Sequence, residues 1–110
     1  MLEKRFVFGP YVLDPGRGTL LRDGTPLAIG HRAFALLRTL LEADGQVVAK
    51  SDLMEAAWPG VFVEESNLSV QVAALRRLLG APPGGSEWIA TTSRIGYRFA
   101  GPVTISEGAP

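Results

Sequence analysis

Hydrophobic positions along the chain follow two different periods, and the change between them comes near residue 30. Before it, short β-prone runs alternate with turn residues. Phe6-Val7-Phe8 stops at Gly9-Pro10, and Tyr11-Val12-Leu13 ends in Asp14-Pro15-Gly16. Thr19 to Arg22 meets Asp23-Gly24, a strong hairpin signal, with Thr25 to Ile29 as the returning strand. This part predicts a small antiparallel sheet.

From His31 to Ala43 the period becomes helical, with Phe34, Leu37, Leu40 and Leu41 as the apolar stripe and Gly45 as the stop. Val47-Val48-Ala49 reads as a brief extended stretch. A second helix is expected from an N-cap at Ser51 through Leu53, Met54, Ala57 and Trp58, ended by Pro59-Gly60. The loop Val61-Phe62-Val63 leads to a third helix over 66–79, with Leu68, Val72, Leu75 and Leu79 on its core face. Gly80 and Pro82-Pro83-Gly84-Gly85 break the chain. A hairpin follows, Trp88 to Thr92 and Tyr97 to Phe99 around a turn at 93–96, with Tyr97 and Phe99 sharing one face. The order of elements is strands, three helices and a hairpin, an α+β arrangement over residues 1–103. Residues 104–110 are small, polar and rich in Gly and Pro, and read as the start of a linker or disordered tail.

Composition narrows the class. The chain has 110 residues, in the range of one domain, and is 46% hydrophobic and 20% charged, as a globular core needs. It has no cysteine, which excludes disulfides and thiolate metal sites and fits a reducing cytoplasm. The Phe6 to Phe8 run is too short for a secretory signal, and no stretch approaches the ~20 apolar residues of a membrane span. No membrane contact is expected of this segment.

Eleven basic and eleven acidic residues cancel, but their distribution is uneven. Asp44, Asp52, Glu55, Glu64 and Glu65 precede the third helix, while Arg76, Arg77, Arg94 and Arg98 follow within a stretch whose only acids are Glu87 and Glu107. No acid stands between Ser66 and Ser86. Opposite the apolar stripe of the third helix lie Ser66, Val70, Ala73, Ala74 and Arg77, with Asn67 and Gln71 on one flank. A solvated helix face usually carries Lys and Glu; this one is small, lightly polar and free of acid, as entry into a DNA major groove requires. Asn67 and Gln71, one turn apart, can each pair with adenine, and Val70 and Ala74 can meet thymine methyls. Arg76 or Arg77 can reach phosphate or guanine, and Arg94 at the hairpin tip can reach a minor groove. The ordinary alternatives are an alanine-rich surface helix, a solvated turn arginine, and packing roles for Tyr97 and Phe99.

Several segments together resemble the OmpR/PhoB-type winged helix-turn-helix domain. They are Phe8-Gly9-Pro10-Tyr11-Val12-Leu13-Asp14, Trp58-Pro59-Gly60, Glu64-Glu65-Ser66-Asn67-Leu68, Leu75-Arg76-Arg77-Leu78-Leu79-Gly80 and Gly96-Tyr97-Arg98-Phe99, in the family's order. The resemblance runs from about Phe6 to Val103. It implies a bacterial transcription regulator of two-component or phosphorelay type that binds double-stranded DNA sequence-specifically in the cytoplasm. The third helix would lie in the major groove and the hairpin wing in the minor groove. It further implies phosphate contacts from Trp58, Ser66 and Tyr97, base-facing roles for Asn67, Val70, Gln71 and Ala74, and Arg76 near the DNA backbone. The loop Pro59 to Val63 matches a segment that touches RNA polymerase in some members. Two departures stand out: Ala73 and Ala74 replace frequent arginines, and the basic residue often found where Ser93 stands is displaced to Arg94. Fewer cations imply weaker nonspecific binding and a shallower salt dependence, offset by two copies on tandem half-sites. With the module at the start of the chain, the arrangement looks like that of ToxR/CadC-like regulators.

Enzymatic chemistry is not expected. The sole histidine, His31, has no acid or nucleophile constellation, Glu64-Glu65 suit a helix N-terminus, and Pro82 to Gly85 lacks the Lys-Ser/Thr of a phosphate loop. No cofactor or metal is implied. The alternative function is a winged helix that binds protein without specific DNA binding. Exposed aromatics or leucines on the third helix would mark it; Ser, Asn, Gln and Ala stand there instead.

Overall fold

A computed structural model describes residues 3–85 and 87–108. The chain divides into two compact units, one formed by Met1–Ile29 with Pro102–Pro110 and the other by Gly30–Gly101.

The first unit is an antiparallel sheet of β1 (Glu3–Phe8), β2 (Tyr11–Asp14), β3 (Thr19–Arg22), β4 (Thr25–Pro26) and β8 (Thr104–Gly108), in the order β4-β3-β2-β1-β8. Phe6, Leu13 and Leu20 stand opposite one another across three strands and are all buried, while Val7, Val12 and Leu21 in the alternate row are half-buried. Alternation of period two therefore holds across the sheet. Asp23 and Gly24 both take positive φ (50° and 81°), the mirror-image turn whose twist suits a two-residue hairpin. The returning strand is shorter than expected, ending at Pro26. Beyond the bond from Leu27 N–H to Leu20 O (2.8 Å), β3 has only Thr19 left to offer. At the end of β2 the buried Asp14 carboxylate accepts from Arg5 Nε at 3.2 Å and from the Arg17 main-chain N–H at 3.2 Å, closing the Asp14-Pro15-Gly16 turn.

The expected tail is corrected. Thr104–Gly108 pairs antiparallel with β1, from Val7↔Thr104 to Glu3↔Gly108. Thr104 and Ile105 are β-formers, and Thr104 to Glu107 are all exposed, as polar residues at a sheet edge can be; pairing with β1 supplies the main-chain bonds that a free tail would leave to water. The last tail residues, Ala109 and Pro110, lie outside the described residues.

The second unit holds α1 (His31–Glu42), β5 (Val48–Ala49), α2 (Lys50–Ala57), α3 (Glu65–Leu79), β6 (Ile89–Thr92) and β7 (Gly96–Phe99). The buried stripe of α1 is Ala33, Leu36, Leu37, Leu40 and Leu41; Phe34 falls on its flank, half-buried. Helix α2 begins one residue before Ser51, because β5 turns into it directly, and Ala49 is its N-cap. Helix α3 likewise starts at Glu65, with Leu68, Val72, Leu75 and Leu79 buried, and Gly80 at φ 65° stops it with its N–H on the Arg76 carbonyl. Strands β5, β7 and β6 form a second sheet in that order. Gly96 permits it: a Cβ there would run into the Val48 carbonyl where β5 crosses β7. This fold is a winged helix-turn-helix, as expected, with β6 and β7 as its wing.

Candidate nucleic-acid interface

Burial of the α3 stripe turns the opposite face outward. Ser66, Asn67, Ser69, Val70 and Arg77 are exposed, and Gln71, Ala73 and Ala74 are half-exposed. Val70 is 62% exposed. Valine is a middling helix former and gains little from so small a burial, so this position is not explained by stability. Asn67 has its amide nitrogen on the Glu64 carbonyl at 3.3 Å, which holds the side chain against the first turn with its oxygen directed away from that bond.

Two residues join α3 to the wing, and sequence reasoning missed one of them. Lys50, at the start of α2, gives its main-chain N–H to the Ile95 carbonyl (3.1 Å) and its ammonium to Glu65 (3.3 Å). It therefore links the wing turn to the first residue of α3. No local signal marks Lys50, because its partners lie 15 and 45 positions away in sequence. Farther along, Arg76 donates from Nε and Nη2 to the Ile89 carbonyl (3.3 and 3.0 Å) and from Nη2 to Thr91 Oγ1 (2.8 Å). Its guanidinium also lies 5.9 Å above the Tyr97 ring. The arginine expected near a DNA backbone is thus engaged with β6 and β7, whereas its neighbour Arg77 is exposed.

Trp58 and Tyr97, expected at phosphate, are each only 7% exposed. Arg32 lies 5.5 Å over the Trp58 ring and bonds the Ala57 carbonyl, fixing the indole at the end of α2. Those groups, with His31, Ala35, Pro59 and Val61, line a shallow depression of about 340 Å³. Beyond it, Val61 and Phe62 are 60% and 94% exposed. At the wing, Ser93, Arg94 and Ile95 form the turn, Ile95 N–H donating to Thr92 O at 3.0 Å. Arg94 takes φ 65°, uncommon for a residue with a side chain, and is exposed. Among the described residues no three His, Asp or Glu side chains gather as metal ligands, and no helix is long and apolar enough to cross a membrane.

The geometry defines a helix-and-wing module, and comparison with known proteins supplies its family. A model described as "Transcriptional regulatory protein, C terminal" matches residues 24–99. Transcriptional regulator HilA of Salmonella typhimurium is 36% identical over 103 residues, covering 94% of this chain and 18% of its own length. The DNA-binding domain of E. coli CpxR superposes with a TM-score of 0.77 at 27% identity, covering 86% of this chain and 94% of that one. For the DNA-binding domain of E. coli CadC the TM-score is 0.76 at 21% identity, with 94% and 98% covered. The chain belongs to the transcriptional regulatory protein C-terminal family, the OmpR/PhoB-type winged helix domains. It is a DNA-binding domain of the transcription-regulator class and not an enzyme. It spans less than a fifth of the length of HilA.

Proposed function

We propose that this domain recognises double-stranded DNA sequence-specifically by laying α3 in the major groove while the 93–96 turn enters the adjacent minor groove. The observation that carries the reading is the outward face of α3, which has no acid from Ser66 to Leu79 and no bulky side chain before Arg77. Asn67 and Gln71 read adenine edges, and Val70 and Ala74 contact thymine methyls. Ser66, Arg77, Trp58 and Tyr97 face phosphates and position the helix, Trp58 through its indole N–H. Arg94 supplies the minor-groove cation. With Arg76 engaged by the wing, its contribution near the backbone is to hold that wing. Two copies occupy tandem half-sites, which offsets the small number of free cations. The exposed Phe62 in the loop Pro59 to Val63 is the contact for RNA polymerase, and the domain works in the cytoplasm, where the chromosome is.

Selection of bound sequences from a random duplex library, at low and at physiological salt, tests the reading. A short repeated motif should survive the higher salt, and Gln71→Ala should weaken it by about 1–3 kcal/mol and relax one position. Enrichment of nothing, with binding lost as salt rises, would favour the protein-binding alternative.

A further inference from the structure

The wing turn carries a side chain that folding does not explain. Ile95 is 58% exposed, so its branched apolar surface contributes little to the core. Its main chain is held from both sides, by Thr92 O on its N–H and by Lys50 N–H on its carbonyl. The side chain is therefore presented from a fixed backbone. Beside it, Arg94 occupies a left-handed conformation (φ 65°) that costs a side-chain-bearing residue about 1 kcal/mol, and such conformations concentrate at binding sites. A cation and an apolar branch thus stand together at the tip, with no acid among Thr91 to Phe99.

We propose that Ile95 is a specificity-determining residue of the wing, which excludes base pairs carrying an amino group in the minor groove. The inference rests on the reading that the wing enters that groove. There, A·T pairs present only acceptors, while G·C adds the guanine 2-amino donor at the centre of the floor. Arg94 can satisfy acceptors. Ile95 cannot accept from an amino group, so pressing it onto G·C removes water from an N–H and gives nothing in return. The wing then discriminates by rejection.

Four duplexes separate the grooves: they share the selected motif beneath α3 and differ only in the pairs beneath the wing, which are dA–dT, dI–dC, dG–dC or diaminopurine–dT. The first two lack the 2-amino group and the last two carry it. In the major groove the grouping differs, because dA–dT matches diaminopurine–dT and dI–dC matches dG–dC. Measured by fluorescence anisotropy, the protein should bind the first two alike and about tenfold more tightly than the others. Ile95→Thr, whose hydroxyl can accept from the amino group, should cut that gap to about threefold or less at an unchanged melting temperature. Two results would overturn the role of Ile95: affinities that group by major-groove pattern, or a gap that survives Ile95→Thr and disappears in Arg94→Gly. Binding to none of the four would overturn the DNA reading as well, so the two failures are distinguishable.

Discussion

Replacing Arg76 by methionine separates the two roles open to this side chain, because methionine keeps the aliphatic stem and removes the guanidinium. The guanidinium donates to the Ile89 carbonyl from two nitrogens and to Thr91 Oγ1, and stacks over Tyr97. The Ile89 bonds share one acceptor and count together as about 1.5 kcal/mol, near the lower end for charged hydrogen bonds. The Thr91 bond is exposed, so water replaces much of it, and the ring contact adds about 0.5 kcal/mol. A loss of about 2 kcal/mol follows, which for a domain of this size lowers Tm by about 8 °C. Thermal unfolding followed by circular dichroism reads the loss directly, and a salt titration of DNA binding reads the other role. If Arg76 were a phosphate contact, its removal would reduce the slope of log affinity against log salt by about one and leave Tm nearly unchanged. A Tm within about 2 °C of wild type, together with that slope change, would assign Arg76 to phosphate and not to the wing.

Two further substitutions test other parts of the interface. Arg94→Gly relieves the positive φ and should raise stability by about 0.5–1 kcal/mol, visible as a higher Tm, while weakening binding to all sequences alike. Phe62→Ser, at a side chain 94% exposed, should leave stability within about 0.5 kcal/mol and DNA affinity unchanged, yet reduce promoter-dependent RNA synthesis in a purified transcription assay. Unchanged RNA synthesis would remove the loop from any polymerase contact.

The core was legible wherever a single element carries its own period. The α3 stripe and the short β-prone runs of β1 to β3 need only local sequence, and both appear as read, while the in-and-out alternation of the sheet emerges only with strand pairing. The stripe of α1 was less clear, since Ala33 and Leu36 take the buried positions and Phe34, the bulkiest apolar residue there, lies on the flank. Boundaries set by partners from far along the chain were not legible. Ser51 has the chemistry of an N-cap, but the pairing of β5 with β7 starts α2 at Lys50. The same holds for the interface. The outward residues of α3 follow from its stripe, whereas the links of Lys50 to Ile95 and of Arg76 to Ile89 depend on where the hairpin returns. Composition misled at Thr104–Gly108, whose small polar residues suit an edge strand as well as a tail.

That last strand bears on how the chain folds during synthesis. The helices and wing are encoded contiguously between Gly30 and Gly101, whereas β8 must find β1 across nearly the whole chain. Strands β1 to β4 can form their hairpins as soon as they leave the ribosome, but the edge of β1 stays open until residues 104–108 have emerged. Closing so long a loop is slow, and an open strand edge is a template for association with other chains. The helical unit therefore reaches its native form first, and the open edge of β1 is most prone to association in the interval before residues 104–108 arrive.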